Sequence, residues 1–318
     1  MKLLFASAID PETIERLRGS HDVVCAFNAK EGVLQEKITD REILIFRSGV
    51  QISAAVMSCA PNLRLLIRAG SGVDNVDLEY VKNKRLKFVR IPGPGAQAVA
   101  EMSFAFMLAL ARRLFEADRL WRQGRWAKNE LAGYNLTGKT LGIVGCGNIG
   151  TRVGDLGAAW GMRVLGCVEH ASPKVATQLA QHNITLKSFD EILPEADFLS
   201  LHVPLHHSTR NLIAAATLAR MKTGAYLINL ARGGVVHETD LLHALQTGKI
   251  RGAALDVHGQ EGEGKISPLA EMPNVILTPH LGAMTIDSQR AIGKLIVHTL
   301  ERFQAQDPVF AQDGHLVL

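Results

Sequence analysis

The chain is most constrained at one short stretch. An apolar run, Thr140–Val144, leads straight into Gly145-Cys146-Gly147-Asn148-Ile149-Gly150, and a helical pattern follows. The three glycines answer three steric demands of a strand–turn–helix unit. The first makes the tight turn, the second lets backbone approach a pyrophosphate, and the third lets helix pack on strand, with the helix N-terminus facing the phosphates. Such spacing alone is a weak signal in a chain with 29 glycines, and the bland reading is a glycine-rich turn without a ligand. The strand before it and the helix after it make it a dinucleotide fingerprint. Gly145, Gly147, Asn148, Ile149 and Gly150 are therefore expected to hold a dinucleotide.

The same alternation of strand and helix signals runs along the rest of the chain. In the first hundred residues, Leu3–Ile9, Val23–Phe27, Ile43–Phe46, Leu63–Ala69 and Lys87–Ile91 read as strands. Asp10 is placed to cap a helix that starts with Pro11, and Asp74-Asn75-Val76-Asp77 reads as a turn into a short helix. A second series has strands near Leu141–Val144, Arg163–Val168, Phe198–Leu201, Tyr226–Leu230, Ala253–Val257 and Val275–Thr278. Between the two, Ala98–Trp121 lacks Gly and Pro and predicts one long buried helix, followed by a connector from Gly124-Arg125-Trp126 to Gly133. A helical pattern runs from about Asp287 to Phe303, and the turn-rich tail Asp307–Leu318 is expected to pack back on the first domain. The expected fold class is α/β, with two doubly wound parallel-sheet domains. Residues 1–98 and 288–318 would form a discontinuous substrate domain, and residues 99–287 the dinucleotide-binding domain.

Bulk properties agree with a two-domain enzyme. The chain has 318 residues, 47% apolar and 21% charged, enough for a large core. Its net charge of +4 comes from scattered basic residues, which argues against nucleic acid and suits small anions. Cys25, Cys59, Cys146 and Cys167 form no CxxC pair, so neither zinc nor a disulfide framework is indicated, and reduced thiols are expected. The N-terminus reads as a first strand rather than a signal peptide. The best membrane candidate, Met102–Leu110, is too short to span and runs into Arg112-Arg113. A cytoplasmic location without membrane contact is the expectation.

Three polar residues then stand out near the C-terminal end. Arg232, Glu261 and His280 each close a strand followed by a loop. Loops at the carboxyl ends of strands in an open α/β sheet converge on one crevice. Histidine exchanges a proton near neutral pH, a carboxylate beside it orients the ring and favours its protonated form, and a guanidinium grips a carboxylate bidentately. With a dinucleotide nearby, this suits hydride exchange with a small hydroxy acid. Any one of the three taken alone is as readily a structural hydrogen-bonder. Among the other histidines, His202 is expected to pack or cap at a strand end, while His258 has a weaker case. His206-His207 reads as an exposed loop without metal-ligand spacing, so no metal is expected.

Several stretches resemble the D-isomer-specific 2-hydroxyacid dehydrogenases. They are Leu141-Gly-Ile-Val-Gly-Cys-Gly-Asn-Ile-Gly150, Leu201-His-Val-Pro-Leu205, Ile228-Asn-Leu-Ala-Arg-Gly-Gly234, Ala254-Leu-Asp-Val257 and Leu277-Thr-Pro-His-Leu-Gly282. In the first domain, Arg68-Ala-Gly-Ser-Gly-Val-Asp-Asn-Val-Asp77 and Val99-Ala-Glu101 also fit. The resemblance spans nearly the whole chain. It implies a flavodoxin-like substrate domain, a Rossmann domain that binds NAD, and a homodimer paired through Ala98–Leu120 and the adjoining connector. It implies that Arg232 binds the substrate carboxylate, Glu261 supports the histidine and His280 is the acid/base. It also implies cofactor contacts from Val203, Pro204, Thr209, Leu230, Ala231, His280 and Gly282, with Asp256 at the nicotinamide amide. Glu169 would take the adenosine ribose and favour NAD over NADP, although Val168 occupies the family's usual acidic place.

Two further departures bear on the substrate. Gly262 stands where the family usually has proline after the glutamate, which predicts a looser loop. The turn Ile91-Pro-Gly-Pro-Gly95 lacks the family's asparagine. Arg47, Ser71 and Gly72 join Arg232 as expected substrate contacts, with Arg47 suited to a phosphate. The expectation leans to the D-3-phosphoglycerate dehydrogenase group, in a short form without a regulatory domain or serine feedback. Hydroxypyruvate or glyoxylate reduction is the alternative. A formate dehydrogenase fits less well, since that branch has glutamine in place of Glu261. From a different class comes an NADH-sensing corepressor, which the absence of long disordered tails disfavours.

Overall fold

The computed structural model describes residues 1–307 and the strand His315–Leu316. The chain divides into two compact units, Met1–Gly95 with Ala283–Leu318, and Ala96–Gly282.

The first unit alternates β1 (Lys2–Phe5), α1 (Pro11–Arg18), β2 (Asp22–Cys25), α2 (Glu31–Lys37), β3 (Ile43–Phe46), α3 (Ala54–Ser58), β4 (Leu65–Arg68), α4 (Leu78–Asn83) and β5 (Lys87–Arg90). The five strands are parallel in the order β2-β1-β3-β4-β5, and β13 (His315–Leu316) adds antiparallel to β5. The period-two geometry of a strand covered on both faces explains why the central strand β3 is apolar throughout, while charged residues fall only at the ends of its neighbours. Leu3, Phe5, Ile43, Ile45, Leu65 and Ile67 face one layer, with Ile14 and Leu17 of α1 and Ile292, Ile296 and Leu300 of α12 (Ile286–Gln304). Leu4, Leu44, Phe46, Leu66 and Phe88 face the other, with Leu34 of α2, Val56 and Met57 of α3 and Val81 of α4. As the sequence predicts, Asp10 caps α1 by accepting the Thr13 N–H at 3.0 Å, and Asp77 caps α4 by accepting that of Tyr80 at 2.9 Å.

The second unit is built on a seven-stranded sheet in the order β12-β11-β10-β9-β6-β7-β8, every pair parallel. Its strands are β6 (Thr140–Val144), β7 (Arg163–Cys167), β8 (Ile184–Leu186), β9 (Phe198–Leu201), β10 (Ala225–Asn229), β11 (Ile250–Leu255) and β12 (Val275–Leu277). Helices α7 (Asn148–Ala159), α8 (Pro173–Ala180), α9 (Phe189–Glu195), α10 (Ala215–Arg220) and α11 (Glu238–Gln246) connect them. The chain order reverses between β6 and β9, the switch point where open α/β sheets form their crevice. One face packs Leu199, Leu201, Leu227 and Leu255 against Ile192 and Leu193 of α9, Leu218 of α10 and Leu241 of α11. On the other, α7 lies so close that a Cβ on Gly157 would come within 2.8 Å of Leu141.

Two expectations need correction. The single helix over Ala98–Trp121 is two helices, α5 (Gly93–Ala111) and α6 (Leu114–Arg122). Helix α5 starts earlier because Pro94 sits in its first turn, where no N–H is needed. The break falls at Arg113, whose φ of 51° is left-handed. Its guanidinium bonds Glu116 in the first turn of α6 and the Glu130 carbonyl of the connector, which rewards the turn. The second correction is β8, a three-residue strand beside β7 that is too short to leave a periodic signal. Among the described residues α5 alone is long and apolar enough to cross a membrane, but 61% of its apolar window is buried in the fold.

Candidate active site

Each strand of the second unit ends in a loop that holds part of the site. After β6, Gly145 has φ +94° and donates its N–H to the Cys167 carbonyl at 3.0 Å. A Cβ there would come within 2.7 Å of the His202 carbonyl, and one on Gly150 would collide with the Gly145 carbonyl. A Cβ on Gly147 would meet nothing within 4 Å, and no side chain caps the start of α7. The first-turn N–H groups of α7 therefore open onto a cradle with room for a pyrophosphate, and these residues fit NAD. Ile149 is half-buried and Asn148 exposed at the rim, and Glu169 is exposed just past β7. Burial pushes the Cys146 thiol up to about 12 and the Cys167 thiol up to about 11, so both are neutral fillers.

The loop after β9 begins with His202. Its Nε2 lies 2.8 Å from the Ser200 hydroxyl, and burial holds the ring down to about 3. It is uncharged at neutral pH, as a histidine packed at a strand end should be. Val203 is half-buried and Pro204 exposed. Thr209 donates its hydroxyl to the Pro204 carbonyl at 2.6 Å and accepts the His206 N–H at 2.9 Å. That hydroxyl thus closes its own loop.

After β10, the buried Asn229 braces the turn that carries Arg232. Its Oδ1 accepts the Ala231 N–H at 3.0 Å, and its Nδ2 donates to the Arg232 carbonyl at 3.2 Å. Arg232 is half-buried, and its Nη1 donates to the Ala231 carbonyl at 2.7 Å. Leu230 and Ala231 are buried beside it. A Cβ on Gly233 would collide with the His258 carbonyl, so the loops after β10 and β11 run in direct contact.

The loops after β11 and β12 are locked together by Asp256, which is 1% exposed. Its Oδ1 accepts the Thr278 hydroxyl at 2.5 Å and the Leu281 N–H at 2.7 Å, and its Oδ2 accepts the Gly282 N–H at 2.7 Å. Its backbone carbonyl accepts the His280 N–H at 2.8 Å. His280 is thereby held at φ +57°, a left-handed conformation uncommon outside glycine. His258 adds a contact between its Nε2 and the Thr278 carbonyl at 2.9 Å.

The imidazole so presented meets Glu261. His280 Nδ1 lies 3.0 Å from Glu261 Oε2, and Glu261 Oε1 accepts the His258 N–H at 3.2 Å. An ionised carboxylate only accepts, so Nδ1 carries the proton and Nε2 is left for a reacting oxygen. Burial alone would raise the Glu261 pKa, but the bond to His280 and the charge across it, with the His258 N–H, hold it below the usual carboxylate value. The pair therefore outlasts an ordinary carboxylate as pH falls and is lost when pH passes the lowered Glu261 value. Gly262, expected to loosen this loop, has φ +123°, a conformation closed to proline, and Glu261 is nonetheless held at both oxygens.

The structure thus brings Glu261 and His280 together. The residues expected to touch substrate from the first unit lie at strand ends there. Arg47 follows β3, donates its N–H to the Ser7 hydroxyl at 2.9 Å and its Nη1 to Gln289 Oε1 at 3.1 Å, and burial lowers its pKa. Ser71 and Gly72 follow β4, and the Ser71 carbonyl accepts Arg90 Nη1 at 3.2 Å. Sequence reasoning misses Asn229 and Thr278 as supporting groups, and His258, given the weaker case there, supports the site through its N–H and Nε2. The only signal for Asn229 was a lone amide closing an apolar strand.

The family model for the NAD-binding domain of D-isomer specific 2-hydroxyacid dehydrogenases matches residues 104–282. The D-3-phosphoglycerate dehydrogenase of Methanocaldococcus jannaschii is 36% identical over 302 residues, 95% of this chain and 57% of that protein. The chain thus spans little more than half of that relative. The hydroxypyruvate reductase of Thermotoga maritima is 35% identical over 295 residues, 92% of this chain and 94% of that one. Among solved structures, a D-lactate dehydrogenase from Aquifex aeolicus, complexed with NAD and lactic acid, superposes with a TM-score of 0.87 at 29% identity, covering 99% of both chains.

The cradle geometry generates a direct test. Gly150→Ala forces a methyl against the Gly145 carbonyl, a strain of ~1–3 kcal/mol. NADH should bind on the order of tenfold to a hundredfold more weakly, read by fluorescence titration, with the circular dichroism spectrum unchanged. Unaltered affinity would remove the loop from the cofactor site.

Proposed function

The chain belongs to the D-isomer-specific 2-hydroxyacid dehydrogenase family, and on that premise we propose that it exchanges a hydride between NAD and a D-2-hydroxy acid or its 2-keto acid. The observation that carries this reading is the 3.0 Å contact between His280 Nδ1 and Glu261, which leaves Nε2 available. The nicotinamide, when bound, supplies or takes the hydride. Arg232 grips the substrate carboxylate and so fixes the carbon to be reduced. His280 gives its Nε2 proton to the keto oxygen in reduction and takes it back in oxidation, while Glu261 stabilises the charged ring. Asp256 and the backbone of Leu230 and Ala231 flank the nicotinamide in this reading, and Glu169 takes the ribose, which favours NAD.

For the substrate we lean to D-3-phosphoglycerate, with Arg47, Ser71 and Gly72 as contacts beyond the carboxylate. The support is the Methanocaldococcus jannaschii relative at 36% identity and a guanidinium whose buried Nε lacks a hydrogen-bond partner. Hydroxypyruvate or glyoxylate is the second reading, supported by the Thermotoga maritima relative at 35% identity. We further propose a homodimer formed over Phe115, Trp121 and Trp126, which are 63%, 62% and 74% exposed. Light scattering at low concentration should give twice the chain mass; a single-chain mass would contradict it.

NADH oxidation against a panel of 2-keto acids tests the activity. In His280→Ala, turnover should fall by ~100- to 10,000-fold while NADH binding stays intact. In Glu261→Gln, the charged ring loses the negative neighbour that stabilises it, so kcat for keto-acid reduction should fall on the order of tenfold and the pH profile of reduction should differ from that of the unsubstituted protein. A protein that binds NADH yet reduces no keto acid, or a His280 variant with full turnover, would overturn the reading.

A further inference from the structure

We infer that Glu238 is a positioning residue that holds Glu261 in register with His280; this rests on the roles proposed above for that pair. The segment from Gly259 to Ser267 carries Glu261 and has little to fix it. All its residues up to Ile266 are exposed, Ile266 at 84%, and it contains glycines 259, 262 and 264. Gly262 and Gly264 have φ of +123° and +75°. The nearest core anchors lie outside it, at Val257 and Leu269, which are 1% and 0% exposed.

Glu238 supplies what this segment lacks. It is the first residue of α11 and half-buried. Its Oε1 accepts the Gly259 N–H at 2.6 Å and its Oε2 accepts the Ser267 hydroxyl at 2.7 Å. The Ser267 oxygen in turn accepts the Leu269 N–H at 3.2 Å. One carboxylate therefore ties both ends of the loop to one point, and the helix N-terminus where it sits favours negative charge. Glu261 lies between the tied ends, and its two bonds, to His258 N–H and His280 Nδ1, need that point to stay fixed. Charge-assisted bonds of this length are short and directional, so they set geometry as well as add stability. A proline after Glu261 would stiffen the loop from within; here Gly262 stands in that place and the restraint comes from outside, from α11.

Glu238 acts through Glu261, so its removal should look like a weakened Glu261 rather than a general loss of fold. Glu238→Ala should lower kcat for keto-acid reduction on the order of tenfold, since small misplacement of a catalytic group costs rate steeply. NADH affinity should stay unchanged, and the pH profile of reduction should change in the same way as in Glu261→Gln. In the Glu261→Gln background the same change should cost less than about twofold, the signature of two residues acting as one unit. Glu238→Gln keeps an acceptor for Gly259 and a donor for the Ser267 oxygen and should restore most of kcat. Ser267→Ala should follow Glu238→Ala with a smaller effect, and it serves as the test if Glu238→Ala folds poorly. A cost that multiplies fully onto Glu261→Gln, or a loss of kcat with an unmoved pH profile, would overturn the inference. Amide exchange over residues 259–267 is independent of the reaction: it should accelerate in Glu238→Ala, and unchanged exchange would also overturn the inference. If Glu261→Gln itself leaves the pH profile unaltered while exchange accelerates in Glu238→Ala, the proposed acid/base pair has failed rather than the anchor.

Discussion

The site depends above all on one buried carboxylate. Asp256 follows β11 inside the protein, where an unsatisfied charge would be costly, and three donors from the β12 loop converge on it. Hydrogen bonds to a charged group are each worth ~1.5–3 kcal/mol. Holding a non-glycine residue in the left-handed region costs ~1–2 kcal/mol. The donors outweigh that strain, so His280 can sit at φ +57° with its ring turned to Glu261. The unusual backbone is a consequence of the anchor, and the presentation of the imidazole is a consequence of the backbone.

Similar logic recurs at the neighbouring strand ends. A buried amide, Asn229, braces the turn with Arg232; a glycine, Gly233, lets that turn run against the loop that carries Glu261. Gly145 and Gly150 let the β6 turn close tightly enough to leave the α7 N-terminus open. In each case the parallel sheet provides a rigid row of strand ends, and one polar or side-chain-free residue per strand sets what the following loop can present.

Much of this was legible in the chain, for physical reasons that also explain the misses. A strand buried on both faces favours a continuous apolar run, so Ile43–Phe46 is bounded by its own composition. The glycine loop and the helix starts at Pro11 and Leu78 follow from backbone sterics and capping, which are local. The break at Arg113 was not legible, because it depends on a carbonyl seventeen residues away at Glu130. Thr278 and Glu238 were missed for the same reason, since their partners lie 22 and 29 residues off at Asp256 and Ser267. Gly262 is legible as a departure from proline, but its φ of +123° and the bonds that hold Glu261 depend on partners elsewhere in the chain.

The most direct test of the Asp256 anchor is amide hydrogen exchange at Leu281 and Gly282. Both amides should be protected as strongly as the core strands in the native protein, and Asp256→Ala, which removes both acceptor oxygens, should abolish the protection together with turnover. Rapid exchange of these two amides in the unsubstituted protein would contradict it, because His280 would then be held by something other than that carboxylate.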